Sequence, residues 1–538
     1  MRFVTDPAIK TKIARMKERV YWQHPAVKAL NVDQTRFVLV SDSANDDTSE
    51  SAQPGTAPAD FSFLVIGDSG TSRHASDPPQ RRITKLLLKH SPECDFILHT
   101  GDVVYLVGSS EQYPDNFIKP YREFLVGGEK PKKIRFDKMT FKIPFLPVLG
   151  NHDYYDLPLI SGILSKAFSP IRRLLRKRIN LDIGWHGSHQ GEAFARAFMD
   201  YVQPLSDRQL KLHLQEKYSA KVGDTRCLRY VPGEFTRVPN RYYTFRRAGV
   251  DFFALDSNTF NSPQPLPTDE AGQAIRSLLE TQRDQLEEKM RSLTAESLML
   301  SEDDPEQAKR ANSIYGKMEQ IEEQLQDIDK QLNLSQKDAT VDTEQLEWLR
   351  DRLIASWQDP DAKGRVLYFH HPPYVSESTK WNQGQTLAVR ARIREVLDQV
   401  QMTVGNYNRP LVDLVLCGHA HCFEYLRTVE TGHGDRIIPW VVCGGSGFSL
   451  RRQRKEGPII KEYGQPVAES HIFLGRDGYK DRKSRPYSAL RVDVSYTTGD
   501  KEVPQFTLRP LVAECYRSEW KEHELAPIAL DTYAEPVG

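Results

Sequence analysis

Cysteine is scarce in this chain. Six occur in 538 residues, at Cys94, Cys227, Cys417, Cys422, Cys443 and Cys515, and no two form a C-x-x-C pair. That argues against a disulfide scaffold and rules out a zinc ribbon or a thioredoxin-like redox site. Several of the six fall inside apolar runs and read as buried thiols. Net charge is lacking as well. Lys+Arg and Asp+Glu each number 73, so no overall field draws the chain to nucleic acid or to an anionic membrane. No stretch approaches the ~18 consecutive apolar residues of a membrane span. The first twenty residues, MRFVTDPAIKTKIARMKERV, scatter charges where a secretory signal has an apolar core. The expectation is a cytoplasmic protein with no membrane segment and no nucleic-acid partner. No repeat of solenoid period is visible.

Apolar stretches nevertheless suffice for a large core, and they come as short runs that stop at turn residues. FSFLVIG begins at Phe61 and runs into Asp68-Ser69-Gly70. Pro79 to Leu88 follows as a helix with Ile83, Leu86 and Leu87 on its buried stripe. Phe96-Ile97-Leu98 then leads into Thr100-Gly101-Asp102, with Tyr105 three places on. Strand, helix and strand at this spacing predict a right-handed crossover in a parallel sheet. A third run, Phe145 to Leu149, ends in Gly150-Asn151-His152-Asp153. A fourth, Arg365 to Phe369, ends in His370-His371-Pro372-Pro373-Tyr374, and a fifth, Leu411 to Cys417, in Gly418-His419-Ala420-His421. Residues 241–256 predict a β-hairpin turning at Ala248-Gly249.

Residues 1–60 read as a short helical and extended lead-in to about residue 40, followed by a flexible linker at 41–60, which is almost free of apolar side chains. Residues 61–267 form the first part of the core, with a helical insertion at about 157–215. Its basic block, Ile171 to Arg178, suits a solvated helix face or contact with a phosphate-bearing partner. At 268–340 the pattern changes to a heptad seam through Ile314, Met318, Ile321, Leu325, Ile328 and Leu332. Ile275, Leu279, Leu286 and Leu293 keep a compatible register. The intervening SEDDPE combines a cap-like Ser301-x-x-Asp304 with Pro305 in a first helical turn. The expectation is an antiparallel helical hairpin with arms of ~45 Å. It serves either as a plain insertion or as a surface for a second copy or another partner. Residues 341–538 return to the core, with 451–485 expected as a long surface loop before two closing strands.

The strand ends present Asp68, Asp102, Tyr105, Asn151, His152, His370, His371, His419 and His421. Hard oxygens with neutral imidazoles suit iron, zinc or manganese, whereas calcium takes oxygens alone. Each turn by itself is ordinary. Five of them, each closing an apolar strand, predict donors gathered at one sheet edge, where open α/β sheets place their ligands. His186 and His189, in WHGSHQGE, read as surface-loop residues or pocket lining.

GDSG, GDVVY, GNHD, FHH and GHAH, in that order, resemble the five motifs of the metallophosphoesterase, or calcineurin-like phosphoesterase, superfamily. Tyr105 makes the second motif similar to the purple acid phosphatase-like branch. The resemblance implies an α/β sandwich of two mixed β-sheets flanked by helices, here with the long helical hairpin spliced between LDSNTF (255–260) and EQLEWL (344–349). It implies a metal at Asp68, Tyr105 and His421, a second at Asn151, His370 and His419, and Asp102 bridging. A phenolate ligand favours ferric iron in the first site, with divalent iron, zinc or manganese in the second. The implied activity is hydrolysis of a small phosphorylated substrate, a phosphate monoester, by a metal-bound hydroxide. Phosphodiester or pyrophosphate hydrolysis is the alternative, and a non-catalytic scaffold using the hairpin is the alternative of another class. His152 is the implied proton donor, His371 the second candidate, and Asp153 the group that orients His152. Two adjoining histidines depart from the usual fourth motif. Pro372 favours His370 as the ligand, and His371 remains open.

Overall fold

A computed structural model describes residues 4–40, 58–70, 78–156, 187–300, 305–335, 339–405, 409–447, 449–476, 484–496, 503–517 and 519–530. Residues 41–57 of the proposed linker, residues 157–186 with the basic block Ile171–Arg178 and His186, and the hairpin's tip at 301–304 lie outside these residues.

Two mixed sheets pack face to face, flanked by helices. The smaller runs in the order Glu519–Glu524, Pro504–Tyr516, Arg485–Tyr496, Phe61–Ile66, Phe96–His99, Phe145–Pro147, and Ile528–Ala529 also pairs with Pro504–Tyr516. Its three motif-bearing strands are parallel, with Phe63 beside Phe96 and Ile97 beside Phe145. The helix Pro79–His90 makes the crossover between the first two. Its proline sits in the first turn, where a missing N–H costs nothing. The first two of these strands are buried along their whole length and mostly apolar, because both of their faces are covered.

The larger sheet has eleven strands. Its centre holds Pro439–Cys443, Leu414–Cys417, Gly364–Tyr368 and Val250–Ala254, all mutually parallel. Tyr243–Arg247 pairs antiparallel with Val250–Ala254 through a two-residue turn at Ala248 and Gly249. Their φ values of 45° and 76° are those a type I′ hairpin turn requires. Aromatic side chains knit the two sheets together. Phe63 and Phe96 stack at 5.1 Å, and Phe252 of the larger sheet meets both edge-on at 5.4 and 5.3 Å.

One stretch differs from expectation, and another gains a partner no local pattern showed. Residues 451–485 are not simply a loop: Ile459–Glu462 and Gln465–Leu474 form a hairpin at the edge of the larger sheet, turning at Tyr463 and Gly464. Half of an edge hairpin faces water, so its sequence is polar enough to imitate a loop. Near the N-terminus, Val32–Leu39 is a working strand of the same sheet, parallel to Thr225–Tyr230.

The hairpin consists of two 29-residue helices, Glu270–Leu298 and Pro305–Asn333. Met290 and Leu293 pack on Ile314, Met318 and Ile321, and Leu279 packs on Ile328 and Leu332, so the arms are antiparallel. Ile275, placed in the seam by spacing, is 43% exposed. Among the described residues no helix is long and apolar enough to cross a membrane.

Candidate metal centre

The C-terminal ends of the five motif strands meet between the sheets, and all ten predicted side chains are buried there. Asp68, Asp102 and His419 sit on turns with φ of 51°, 56° and 65°. Left-handed backbone at three non-glycine residues is strain of the kind that persists at functional sites. Gly150 makes one approach feasible: a Cβ there would stand 2.1 Å from Asp102 Oδ1.

Four donors converge first. Tyr105 Oη lies 3.0 Å from Asp68 Oδ1, 3.0 Å from Asp102 Oδ2 and 2.9 Å from His421 Nε2. His421 Nδ1–H donates to the Ser449 carbonyl, which leaves Nε2 as a lone pair. Burial lowers the His421 pKa to about 3, and Arg451 adds to the effect, so the ring is neutral. One phenolic proton thus faces three electron-pair donors. A cation fits that arrangement better than hydrogen bonding does.

Asp102 reaches the second set as well. Its Oδ2 is 3.3 Å from His370 Nε2, which is 2.9 Å from Asn151 Oδ1. His370 Nδ1 faces the Thr100 carbonyl at 2.8 Å. Both ring nitrogens therefore point at oxygens. Burial opposes charge on His370, but Asp102 and Asp68 outweigh it and raise the pKa to about 9. A cation on Nε2 would satisfy the same geometry with a neutral ring. His419 completes the group: its ring centre is 5.0 Å from that of His370, its Nε2 is 3.1 Å from Gln385 Nε2, and its Nδ1 is buried without a hydrogen bond. Asn151 Nδ2 is likewise orphaned. Burial also pushes Asp68 up to about 8, against the pull of His370. The donor set is acceptor-rich and short of positive charge, so the residues present fit bound metal.

His371 is placed differently from His370. Its Nδ1 pairs with Ser257 Oγ at 2.8 Å and its Nε2 with Asn261 Nδ2 at 3.2 Å, so both nitrogens are engaged. His370→Ala is therefore expected to lower the metal content, while His371→Ala leaves it near that of the unsubstituted protein. Elemental analysis after desalting measures this, and the reverse result would transfer the ligand role to His371.

Asp153 does not orient His152. Its carboxylate accepts from the backbone N–H groups of Gly150, Asp102 and Val103, at 2.9, 3.0 and 3.3 Å, and so shapes the turn that presents Asp102. The Leu106 carbonyl orients His152 instead, 2.6 Å from its Nδ1. An imidazole next to a carboxylate in sequence need not share a face with it, because one helical step rotates the side chain away. His189 is exposed, on a turn.

Four residues absent from the motif reading complete the surroundings. Glu323 Oε1 lies 3.4 Å and Glu319 Oε1 3.9 Å from His152 Nε2. Lys380 pairs with Glu323 at 2.6 Å, and Arg451 with Glu319 at 3.2 Å. Burial opposes charge on His152, but Asp102 and the two glutamates raise its pKa to about 9. Both glutamates come from the second hairpin helix. Their spacing of four, beside an apolar seam, is also that of an ordinary solvated flank, so nothing in the sequence marks them.

Residues 61–193 match the family model described as calcineurin-like phosphoesterase. That span carries Asp68, Asp102, Tyr105, Asn151, His152 and Asp153. No curated protein matches the sequence. Similar solved structures include the purple acid phosphatase PPD1 isolated from yellow lupin (Lupinus luteus) seeds, at 12% identity and TM-score 0.40, covering 88% of this chain and 54% of that one. PhoD is at 12% and 0.40, covering 89% and 71%. GAP50, the anchor in the inner membrane complex of Plasmodium, is at 11% and 0.37, covering 88% and 90%. The chain thus spans about half the length of the lupin enzyme.

Proposed function

With a calcineurin-like phosphoesterase domain at residues 61–193 as the premise, we propose that the chain is a binuclear metal-dependent hydrolase of phosphate monoesters. One observation carries the reading: Asp102 Oδ2 stands between Tyr105 Oη at 3.0 Å and His370 Nε2 at 3.3 Å. A carboxylate so placed is shared by two donor sets. Asp68, Tyr105 and His421 would hold one ion, ferric iron, and Asn151, His370 and His419 a divalent iron, zinc or manganese. When bound, the ions supply Lewis acidity to the phosphoryl oxygens and to the attacking water.

The chain's own residues do the rest. The carbonyls of Thr100 and Ser449 hold the rings of His370 and His421 with Nε2 inward. The Leu106 carbonyl holds His152 by Nδ1, so only Nε2 can pass a proton to a leaving group. Lys380 and Arg451 are each paired with a glutamate that also faces that nitrogen, so they lend net positive charge only to a substrate that takes the glutamates' place. So placed, they favour a monoester dianion over a diester, which carries one negative charge less.

Turnover of an aryl phosphate monoester, compared with its diester by metal-loaded protein, tests the proposal. The monoester is expected to be the better substrate by at least about tenfold, and a diester preference would replace the monoester reading with phosphodiester hydrolysis. Ferric iron at Tyr105 predicts a visible phenolate-to-iron absorption band that Tyr105→Phe abolishes. A band unchanged by that substitution would remove Tyr105 from the ligand set.

A further inference from the structure

The second hairpin helix does more than pass near the centre. Glu319 and Glu323 lie one turn apart on it, and both are buried. Each divides its two oxygens in the same way. One oxygen of Glu323 faces His152 Nε2 and the other takes Lys380 Nζ. One oxygen of Glu319 faces His152 Nε2 and the other takes Arg451. Arg451 also donates to the Gly316 carbonyl at 2.8 Å, one turn up the same helix. Asp327, one turn below Glu323, accepts the backbone N–H groups of Gly384 and Gln385, each at 2.9 Å. At Gly316 the helix passes close to the 449 loop: a Cβ there would stand 2.8 Å from Ser449 Oγ. The Ser449 carbonyl is the one that holds His421.

Lys380, Arg451 and His152 Nε2 form a three-donor set around two carboxylates. Carboxylate and phosphate oxygens ask for the same partners, namely charged N–H donors in a water-poor pocket. His152 has only one nitrogen free to meet a substrate, and Glu323 faces it. The hairpin's attachment is also of a kind that can open. Its apolar clusters, around Ile314 and Ile328, are built from the hairpin itself with Leu266 just before it, and are separate from the sheet cores among the described residues. What ties this helix to the centre is ion pairs and hydrogen bonds, joined by Lys330 to Asp6 at 2.6 Å. Ionic contacts exchange for other ionic contacts at little net cost, whereas separating a packed apolar interface exposes it to water.

We propose that Lys380, Arg451 and His152 form an oxyanion subsite, that Glu319 and Glu323 are its resident intramolecular occupants, and that a phosphorylated substrate enters by displacing the hairpin helix. The inference rests on the phosphoesterase reading. It adds that the insertion competes with substrate for the site.

The test uses the full-length, metal-loaded protein and inorganic phosphate, with binding read by calorimetry rather than turnover. Glu319→Gln/Glu323→Gln keeps the shape of the pair and removes its charge. A subsite open only a tenth of the time binds tenfold more weakly than a free one, so the variant is expected to bind phosphate about tenfold more tightly than the unsubstituted protein. Hydrogen exchange on the unsubstituted protein needs no variant to fold. Saturating phosphate should speed exchange of the backbone amides at 313–327. Equal or weaker phosphate binding by the variant, or protection of that helix by phosphate, overturns the competition while leaving the phosphoesterase reading intact. Phosphate binding to neither protein overturns both.

Discussion

Asp102→Asn is expected to leave the protein short of metal and to lower monoester turnover by about a thousandfold, since metal-borne charge stabilisation amounts to several kcal/mol and each ~1.4 kcal/mol is tenfold. The substitution isolates charge from shape. Asn is nearly the size of Asp and tolerates the left-handed backbone that Asp102 adopts at φ 56°. The turn is held from outside the side chain, by the Asp153 carboxylate on the N–H groups of Asp102 and Val103. Oδ1 can go on accepting the His152 N–H, now 2.9 Å away. What disappears is the anionic oxygen between Tyr105 and His370. Metal stoichiometry, turnover and circular dichroism measured on one preparation check the outcome. A folded variant with full metal and turnover within about tenfold of the unsubstituted protein would show that Asp102 is not shared between two ions.

Arg241→Met is expected to destabilise the fold by about 3–5 kcal/mol, the cost of leaving buried carboxylates without their cation. Arg241 is 2% exposed and lies between two acids. Its Nη2 is 2.5 Å from Asp342 Oδ2, and its Nη1 is 3.5 Å from Asp256 Oδ2. The cluster closes the base of the hairpin. Thr259 Oγ1 donates to Asp342, Asp256 N–H donates to Gln345 Oε1, and Asp342 N–H donates to the Thr259 carbonyl. The chain thus leaves the core after Asp256 and returns at Asp342 to the same point. Tyr154 Oη, at the end of the turn that carries Asn151 and His152, also donates to Asp256, at 2.8 Å. The substitution should therefore loosen the hairpin's root and the third motif together. Arg241→Lys, which keeps the charge but loses the fork, should recover part of the loss. Denaturant unfolding of all three proteins provides the measure, and a midpoint unchanged in Arg241→Met would mean the acids are neutralised by other means.

Much of the core could be read from the chain before folding. The runs at Phe61, Phe96, Phe145 and Arg365 are apolar because both faces of their strands are covered, and each stops where glycine, aspartate, asparagine or histidine breaks the run. Both signals are local. The edge hairpin at 459–474 could not be read this way, because a strand with one wet face and no partner on its other side resembles a loop. The lead-in reads as extended, but the pairing of Val32–Leu39 was hidden, since its partners Thr225–Tyr230 and Thr244 lie about two hundred residues away and no local pattern names them.

The sequence by itself determined the donor inventory: which oxygens and nitrogens stand at strand ends, and so which ions they suit. Tertiary structure alone decided how those donors are shared and what covers them. Asp102 lies between two sets, Asp153 supports a turn rather than an imidazole, and Glu323 reaches His152 across 171 positions. Strand ends and turns depend on neighbours a few residues apart, so composition and spacing reveal them. The face a charged helix flank turns inward depends on how the hairpin docks. That docking is set by Arg451, Lys380 and two backbone amides far away in the chain, and no heptad encodes it.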